Sequence, residues 1–246
     1  MHYHTNLAPS TTREAPDHFQ DILHTGPLKK KTFYFAVKRV IDVTLAIIFI
    51  VGVMSWLLPL VALLIIIDSK GPVFFVQRRT GFHGKNFTCL KFRTMVVNEE
   101  ADEKQAEDND QRITTIGAFL RRTNIDEFPQ FFNVLLGNMS MVGPRPHMIS
   151  DCTRFSFVIP SYKFRSMVKP GITGLAQVKG FHGPTLDYES IFNRYHWDAE
   201  YVRHAGFRLD IMIMCISIYQ AFTNFISLFS APVALLKKEE AIIKEN

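Results

Sequence analysis

Two uncharged apolar runs stand out against an otherwise mixed chain. The first, Val43 to Ile67, holds 25 residues without a charge, long enough to cross a bilayer. Pro59 lies inside it and removes the hydrogen bond to the Ser55 carbonyl; the Ser55 hydroxyl is placed to re-satisfy that turn. Lys29 to Lys31, Lys38 and Arg39 precede the run, and Lys70, Arg78, Arg79 and Lys85 follow it. Under the positive-inside rule both flanks belong in the cytoplasm. The pattern therefore predicts a re-entrant hairpin over 32–69, broken at Pro59, that enters and leaves on one membrane face, with a single transmembrane span as the alternative. The second run, Ile211 to Phe229, is 19 residues long. Its polar residues Ser217, Gln220, Asn224 and Ser227 recur at helical spacing on one face. That predicts an amphipathic helix over 211–230 lying in the interface, with a second span as the alternative.

Between the runs the pattern is that of a helix-rich α+β domain over 70–210. Gly71-Pro72 punctuates, Val73 to Val76 reads as a short strand, and Gln77 to Lys85 reads as a basic loop. Phe87 to Met95 alternates enough for a second strand, with Lys91 and Arg93 on one face. Seven acidic residues crowd 98–110, a solvated helix or loop without EF-hand spacing. Helices are expected over 116–122, over 128–136 with a stop at Gly137, and over 187–204. Residues 1–31 are polar and read as a disordered tail, and 231–246 as a charged tail.

The net charge is +5, which suits nucleic acid, an anionic membrane or an anionic substrate without choosing among them. Three separated cysteines give neither a disulfide framework nor a zinc spacing, as expected in a reducing compartment. No secretory signal is legible at the start. Helix-turn-helix, RNP and zinc-finger signatures are missing, so a nucleic-acid partner is not expected.

Chemistry concentrates around Arg122-Thr-Asn-Ile-Asp-Glu-Phe-Pro-Gln130. Asn124 stands three residues before Glu127, a variant of the capping-box spacing, and Pro129 is tolerable only near a helix start. Asp126 and Glu127 are thus expected at a helix N-terminus, where the macrodipole favours their ionised forms. An ionised Asp is a competent nucleophile toward phosphorus, and Glu a competent Mg²⁺ ligand. Equally, acidic residues decorate most helix starts. Arg145, between Pro144 and Pro146, is presented on a stiff backbone and suits a phosphate or base edge, or a plain surface turn. The loop Lys169-Pro-Gly-Ile-Thr-Gly-Leu-Ala-Gln177 has N–H groups that could face an anion.

Seven segments in order carry a family likeness: Lys38-Arg-Val-Ile-Asp42, Gly71-Pro-Val-Phe-Phe75, Lys91-Phe-Arg-Thr-Met95, Ile113-Thr-Thr-Ile-Gly117, Arg122 to Gln130, Asn138-Met-Ser-Met-Val-Gly-Pro-Arg-Pro146 and Lys169 to Gln177. From about Lys38 to Phe222 the chain resembles the bacterial sugar transferases, monotopic phosphoglycosyl transferases. The resemblance implies transfer of a sugar-1-phosphate from a UDP-sugar to undecaprenyl (polyprenyl) phosphate with release of UMP, at the cytoplasmic face of the bacterial inner membrane. It implies Asp126 as nucleophile, Glu127 as the Mg²⁺-binding partner, Arg121 as a phosphate contact and Arg145 near the nucleotide. Lys91, Arg93 and Arg122 complete the expected substrate-binding charge. An aspartyl phosphosugar intermediate would give ping-pong kinetics. A non-catalytic membrane-anchored nucleotide-sugar binder is the alternative, and homo-oligomerisation stays open. The family's membrane helix is broken at a Ser-Pro pair; here the break is Leu58-Pro59, with Ser55 one turn earlier.

Overall fold

The computed structural model describes residues 31–97, 110–181, 183 and 187–245, with side chains through residue 227. The polar tail before Lys31, most of the acidic stretch and the side chains of the charged tail lie outside those residues.

One helical run organises the rest. Helix α1 (Thr32–Phe49) passes into a π-helical turn (Ile50–Met54) and on into α2 (Ser55–Asp68). Pro59 sits inside α2 and does not interrupt it. The irregularity falls one turn earlier than expected, in the π turn, a usual place for a helix to bend. Side chains take up the slack there: Ser55 Oγ donates to the Val51 carbonyl at 2.7 Å and Trp56 Nε1 to that of Gly52 at 3.0 Å.

A hairpin of β1 (Phe74–Thr80) and β2 (Asn86–Phe92) follows, antiparallel, with Phe75 opposite Lys91. Strand β1 runs through Gln77–Thr80, which the sequence suggested was loop. The basic residues there are absorbed because Gln77 and Arg79 turn to the protein, with Gln77 buried. Helix α3 (Thr115–Arg122) is capped by Thr114, whose Oγ1 accepts from Gly117 N at 3.0 Å. After a 3₁₀ turn (Ile125–Glu127) comes α4 (Gln130–Leu135). It ends as expected: Gly137 has φ +88°, and the N–H groups of Gly137 and Asn138 return to the carbonyls of Val134 and Asn133. This is a Schellman-type stop.

Strand β3 (Ser140–Val142) pairs in parallel with β4 (Gly171–Thr173). Between them lie α5 (Ile149–Val158) and a 3₁₀ segment (Tyr162–Met167). Helices α6 (Leu175–Val178), α7 (Tyr188–His204) and α8 (Phe207–Glu245) close the chain.

Three apolar clusters line up along the first helical run. Tyr34 of α1 joins Phe155, Tyr195, Tyr201 and Ile213. Ala46 joins Cys89, Phe131 and Val134. Met54 of the π turn, with Val61 and Ile65 of α2, joins Phe92 and Leu120. Both ends of the run are also tied by polar bonds. Lys38 and Tyr34 bond Asp210 at 2.8 and 2.6 Å, and Asp42 accepts from Ser140 Oγ and Met141 N. At the other end Asp68 accepts from Ile116 N at 2.9 Å. The opposite side of the run is apolar and open, with Ile48, Val51, Trp56, Leu63 and Ile67 exposed. Helix α8 divides similarly. Ser217 bonds Thr173 and Gln220 bonds the Val178 carbonyl, while Ile218, Tyr219 and Phe222 are exposed. The run from Thr32 to Asp68 and α8 from Phe207 to Ser227 are long and apolar enough for membrane association.

Candidate active site

The two adjacent carboxylates do not open an α-helix. Asn124 takes a left-handed conformation, φ +56°, makes no side-chain cap bond, and delivers Asp126 and Glu127 on the 3₁₀ turn ahead of α4. Pro129 is the residue just before α4. What holds this turn in place is Asn133. Its side chain accepts from Leu90 N at 2.9 Å and donates to the Thr88 carbonyl at 2.6 Å, so α4 docks on the free edge of β2. Alternation along β2 sends Phe92 into the core and leaves Lys91 on the other face, against the carboxylates.

Glu127 is the centre of an ion cluster. Lys91 Nζ lies 2.6 Å from its Oε1, and Arg145 straddles it with bonds of 2.5 and 3.0 Å to Oε1 and Oε2. Such two-pronged guanidinium pairs are the strong ones. Asp126 is left outside: Lys91, at 4.0 Å, is its ionic neighbour. The two carboxyls separate accordingly. Burial pushes Asp126 up to about 6, against the pull of Lys91. Burial also pushes Glu127 up, but Arg145 and Lys91 outweigh it and hold that carboxyl well below the usual range. Burial and the ion cluster thus act on both carboxyls.

Arg145 is aimed by its backbone. The carbonyl of Pro144 accepts from Gly171 N at 3.0 Å, that of Arg145 from Arg165 at 2.6 Å, and that of Pro146 from Arg79 at 2.6 Å. Arg165 is itself locked to buried Asp198 by bonds of 2.9 and 2.6 Å. Arg79, Arg165, Asn133 and Asp198 were not singled out from the sequence. Each reaches a partner more than 30 residues away, beside the closer Arg165–Arg145 and Arg79–Gln77 bonds, so no local spacing betrays them. The glycine-rich loop is a packing device. A Cβ at Gly171 would lie 2.1 Å from Gly143 N, and one at Gly174 2.3 Å from the Gly143 carbonyl. The Gly171 N–H is spent in this contact, on the Pro144 carbonyl. A shallow cleft beside Arg145 is lined by Thr80, Gly81, Arg165 and Ser166.

The other expected cations divide. Arg121 is half-buried, 3.5 Å from Thr94 Oγ1, and near enough to lower the Asp126 carboxyl. Arg122 is exposed and joins no ion pair with either carboxylate among the described residues. Arg93 is not in the cluster. It is buried and donates to the carbonyls of Ser69 and Lys70 at 2.6 and 2.8 Å. Those carbonyls belong to the two residues that follow α2, where the chain leaves the helix at extended Ser69, and the negative end of the helix dipole lies beside them, so a guanidinium fits there. Residue 93 lies just past the end of β2, where the strand alternation that paired it with Lys91 no longer applies.

Among the described residues no three His, Cys, Asp or Glu gather as a metal cluster. Asp126 and Glu127 do fit a hard cation that takes one or two carboxylates and completes its shell with water and substrate phosphate, the habit of Mg²⁺.

A family model described as bacterial sugar transferase matches residues 33–224. A UDP-glucose:undecaprenyl-phosphate glucose-1-phosphate transferase of Klebsiella pneumoniae is 43% identical over 203 residues, which is 82% of this chain and 43% of that protein. A UDP-N-acetylgalactosamine-undecaprenyl-phosphate N-acetylgalactosaminephosphotransferase of Aeromonas hydrophila is 38% identical over 216 residues, 87% of this chain and 50% of its own length. The exopolysaccharide production protein PSS of Rhizobium leguminosarum bv. phaseoli is 44% identical over 159 residues, 63% of this chain and 80% of its own. The chain thus spans less than half the length of the Klebsiella relative.

Proposed function

The chain belongs to the bacterial sugar transferase family, and from that premise we propose that it transfers a sugar-1-phosphate from a UDP-sugar to undecaprenyl phosphate and releases UMP. The observation that carries the reading is the division between the two carboxylates. Two acids whose surroundings push their ionisation apart have different tasks. Glu127 is permanently charged and bound by Lys91 and Arg145. Asp126 has its oxygens uncommitted, so it is the group available to attack.

In the proposed first step an Asp126 carboxylate oxygen attacks the phosphorus bonded to the sugar oxygen. The bond to the bridging oxygen of the diphosphate breaks, and UMP leaves with that oxygen. In the second step a phosphate oxygen of the lipid attacks the same phosphorus and Asp126 departs as carboxylate. Lys91, Arg121 and Arg145 counter the charge that builds on phosphate oxygens. Mg²⁺ held by Glu127 would supply further neutralisation of the diphosphate.

The membrane reading extends the same proposal. An uncrossed bilayer is supported by contacts with the domain spread along the run, at Ala46, Met54, Val61 and Ile65. Both of its ends bond the same domain. The π turn, rather than Pro59, is the place where a re-entrant path on the cytoplasmic face of the inner membrane would bend.

The test is UMP release by purified protein with Mg²⁺, undecaprenyl phosphate and a panel of UDP-sugars, beginning with UDP-glucose and UDP-N-acetylgalactosamine. Without lipid, a single stoichiometric burst is expected, with an acid-stable mass increase on Asp126. Absence of both burst and turnover with every donor, in folded protein that binds nucleotide, would leave a nucleotide-sugar-binding protein instead.

A further inference from the structure

We propose that Arg39 and Lys169, facing each other across Gly137, form a second anion site that binds the phosphate of a membrane lipid. The proposal rests on the membrane placement of α1, not on the reaction. Gly137 has φ +88° and carries no side chain to fill the space beside it. An atom placed where its Cβ would stand lies 3.4 Å from Arg39 Nη2 and 3.7 Å from Lys169 Nζ. Two cations therefore share one opening. Arg39 is fixed there by bonds to the carbonyls of Val134 at 2.6 Å and Leu135 at 3.0 Å, the end of α4. A planar guanidinium so anchored keeps further N–H groups for an anion.

Lys169 is different. Among the described residues no acceptor engages its ammonium, although the side chain is part-buried. Burial, and then Arg39, lower its affinity for a proton, with Asp42 opposing them. Asp42 is already committed to Ser140 Oγ and Met141 N. Like charges held together in a partly desolvated place are unfavourable until an anion joins them. The charged groups that act on Lys169 are Arg39 and Asp42, not Asp126 or Glu127.

The surroundings say which anion. Leu136 beside Gly137 is 72% exposed, and Val40 beside Arg39 is 66% exposed. Both lie next to the cations by sequence, and Val40 belongs to α1, whose Ile41, Ile47 and Ile48 are exposed as well. A phosphate flanked by hydrocarbon is what an amphiphile presents, and basic pockets beside membrane helices take such headgroups. The phosphate belongs either to a phospholipid or to the polyprenyl phosphate acceptor, waiting outside the reaction centre.

The experiment uses the full chain in nanodiscs and reads lipid retained after delipidation by native mass spectrometry. The discs carry phosphatidylglycerol, undecaprenyl phosphate in phosphatidylcholine, or uncharged diacylglycerol in phosphatidylcholine. Lys169→Met keeps the stem and breaks no hydrogen bond of the described protein; Lys169→Arg restores the charge. Retention of an anionic lipid is expected to fall about tenfold in Lys169→Met, the loss of one charge-assisted bond, and to recover in Lys169→Arg. Dependence on Lys169 with phosphatidylglycerol would assign the site to a phospholipid; dependence with undecaprenyl phosphate alone would assign it to the acceptor. Equal retention by wild type and Lys169→Met, or equal retention of diacylglycerol, would overturn the proposal. Since retention needs no sugar donor, failure here is distinct from failure of the transfer reaction.

Discussion

Asp126 and Glu127 are neighbours in sequence with opposite surroundings, and their replacements should fail differently. Asp126→Asn removes the oxygen proposed to attack, so turnover should fall by roughly a thousandfold or more, as for other nucleophile deletions, while UDP-sugar binding measured by calorimetry persists. Asp198 makes a different point. It is 1% exposed and holds Arg165, which in turn holds the Arg145 carbonyl. Asp198→Asn leaves a buried guanidinium without its counter-charge and should cost about 3 kcal/mol of stability. A chemical-denaturation midpoint in detergent would read that loss, and an unchanged midpoint would refute it. The carboxylate pair and Arg145 were readable from residue type and spacing. Arg93 was misassigned, because a strand pattern does not say where the strand stops, and the carbonyls it serves, on the two residues that follow α2, are 23 residues or more away.

At the scale of elements, α8 and the run from Thr32 to Asp68 each turn polar or small residues to the domain and apolar residues away. Replacing Ile218 and Phe222 by Lys should move the protein from the membrane fraction toward the soluble one in flotation. Burying two ammonium groups in lipid costs several kcal/mol, whereas neither site contributes to a described core cluster. A re-entrant path predicts that cysteines placed at Lys30 and Lys85 both label from the cytoplasmic side of intact cells. Periplasmic labelling of either would exclude it. The π turn was not legible. Proline marks where a hydrogen bond is missing, but where the helix yields depends on which carbonyls find other donors, here Val51 and Gly52.

Across the described residues one helical run contributes to three apolar clusters, so the proposed membrane anchor and the domain that carries the two carboxylates share their cores. Removing the anchor should therefore unfold the domain rather than solubilise it. A chain beginning at residue 70 is expected to lose cooperative melting, and a folded, soluble fragment would contradict this. The sequence alone determined which stretches are apolar, which face of α8 is polar, where α4 stops, and which residue types can do phosphoryl chemistry, since periodicity, glycine at a left-handed stop and side-chain chemistry are local properties. It did not determine that Glu127 is sequestered while Asp126 is left uncommitted, that Arg79 and Arg165 aim Arg145, or that Arg39 and Lys169 meet over Gly137. Those follow from distances between residues far apart in the chain, and electrostatics and desolvation depend on such distances, which only the packed chain sets.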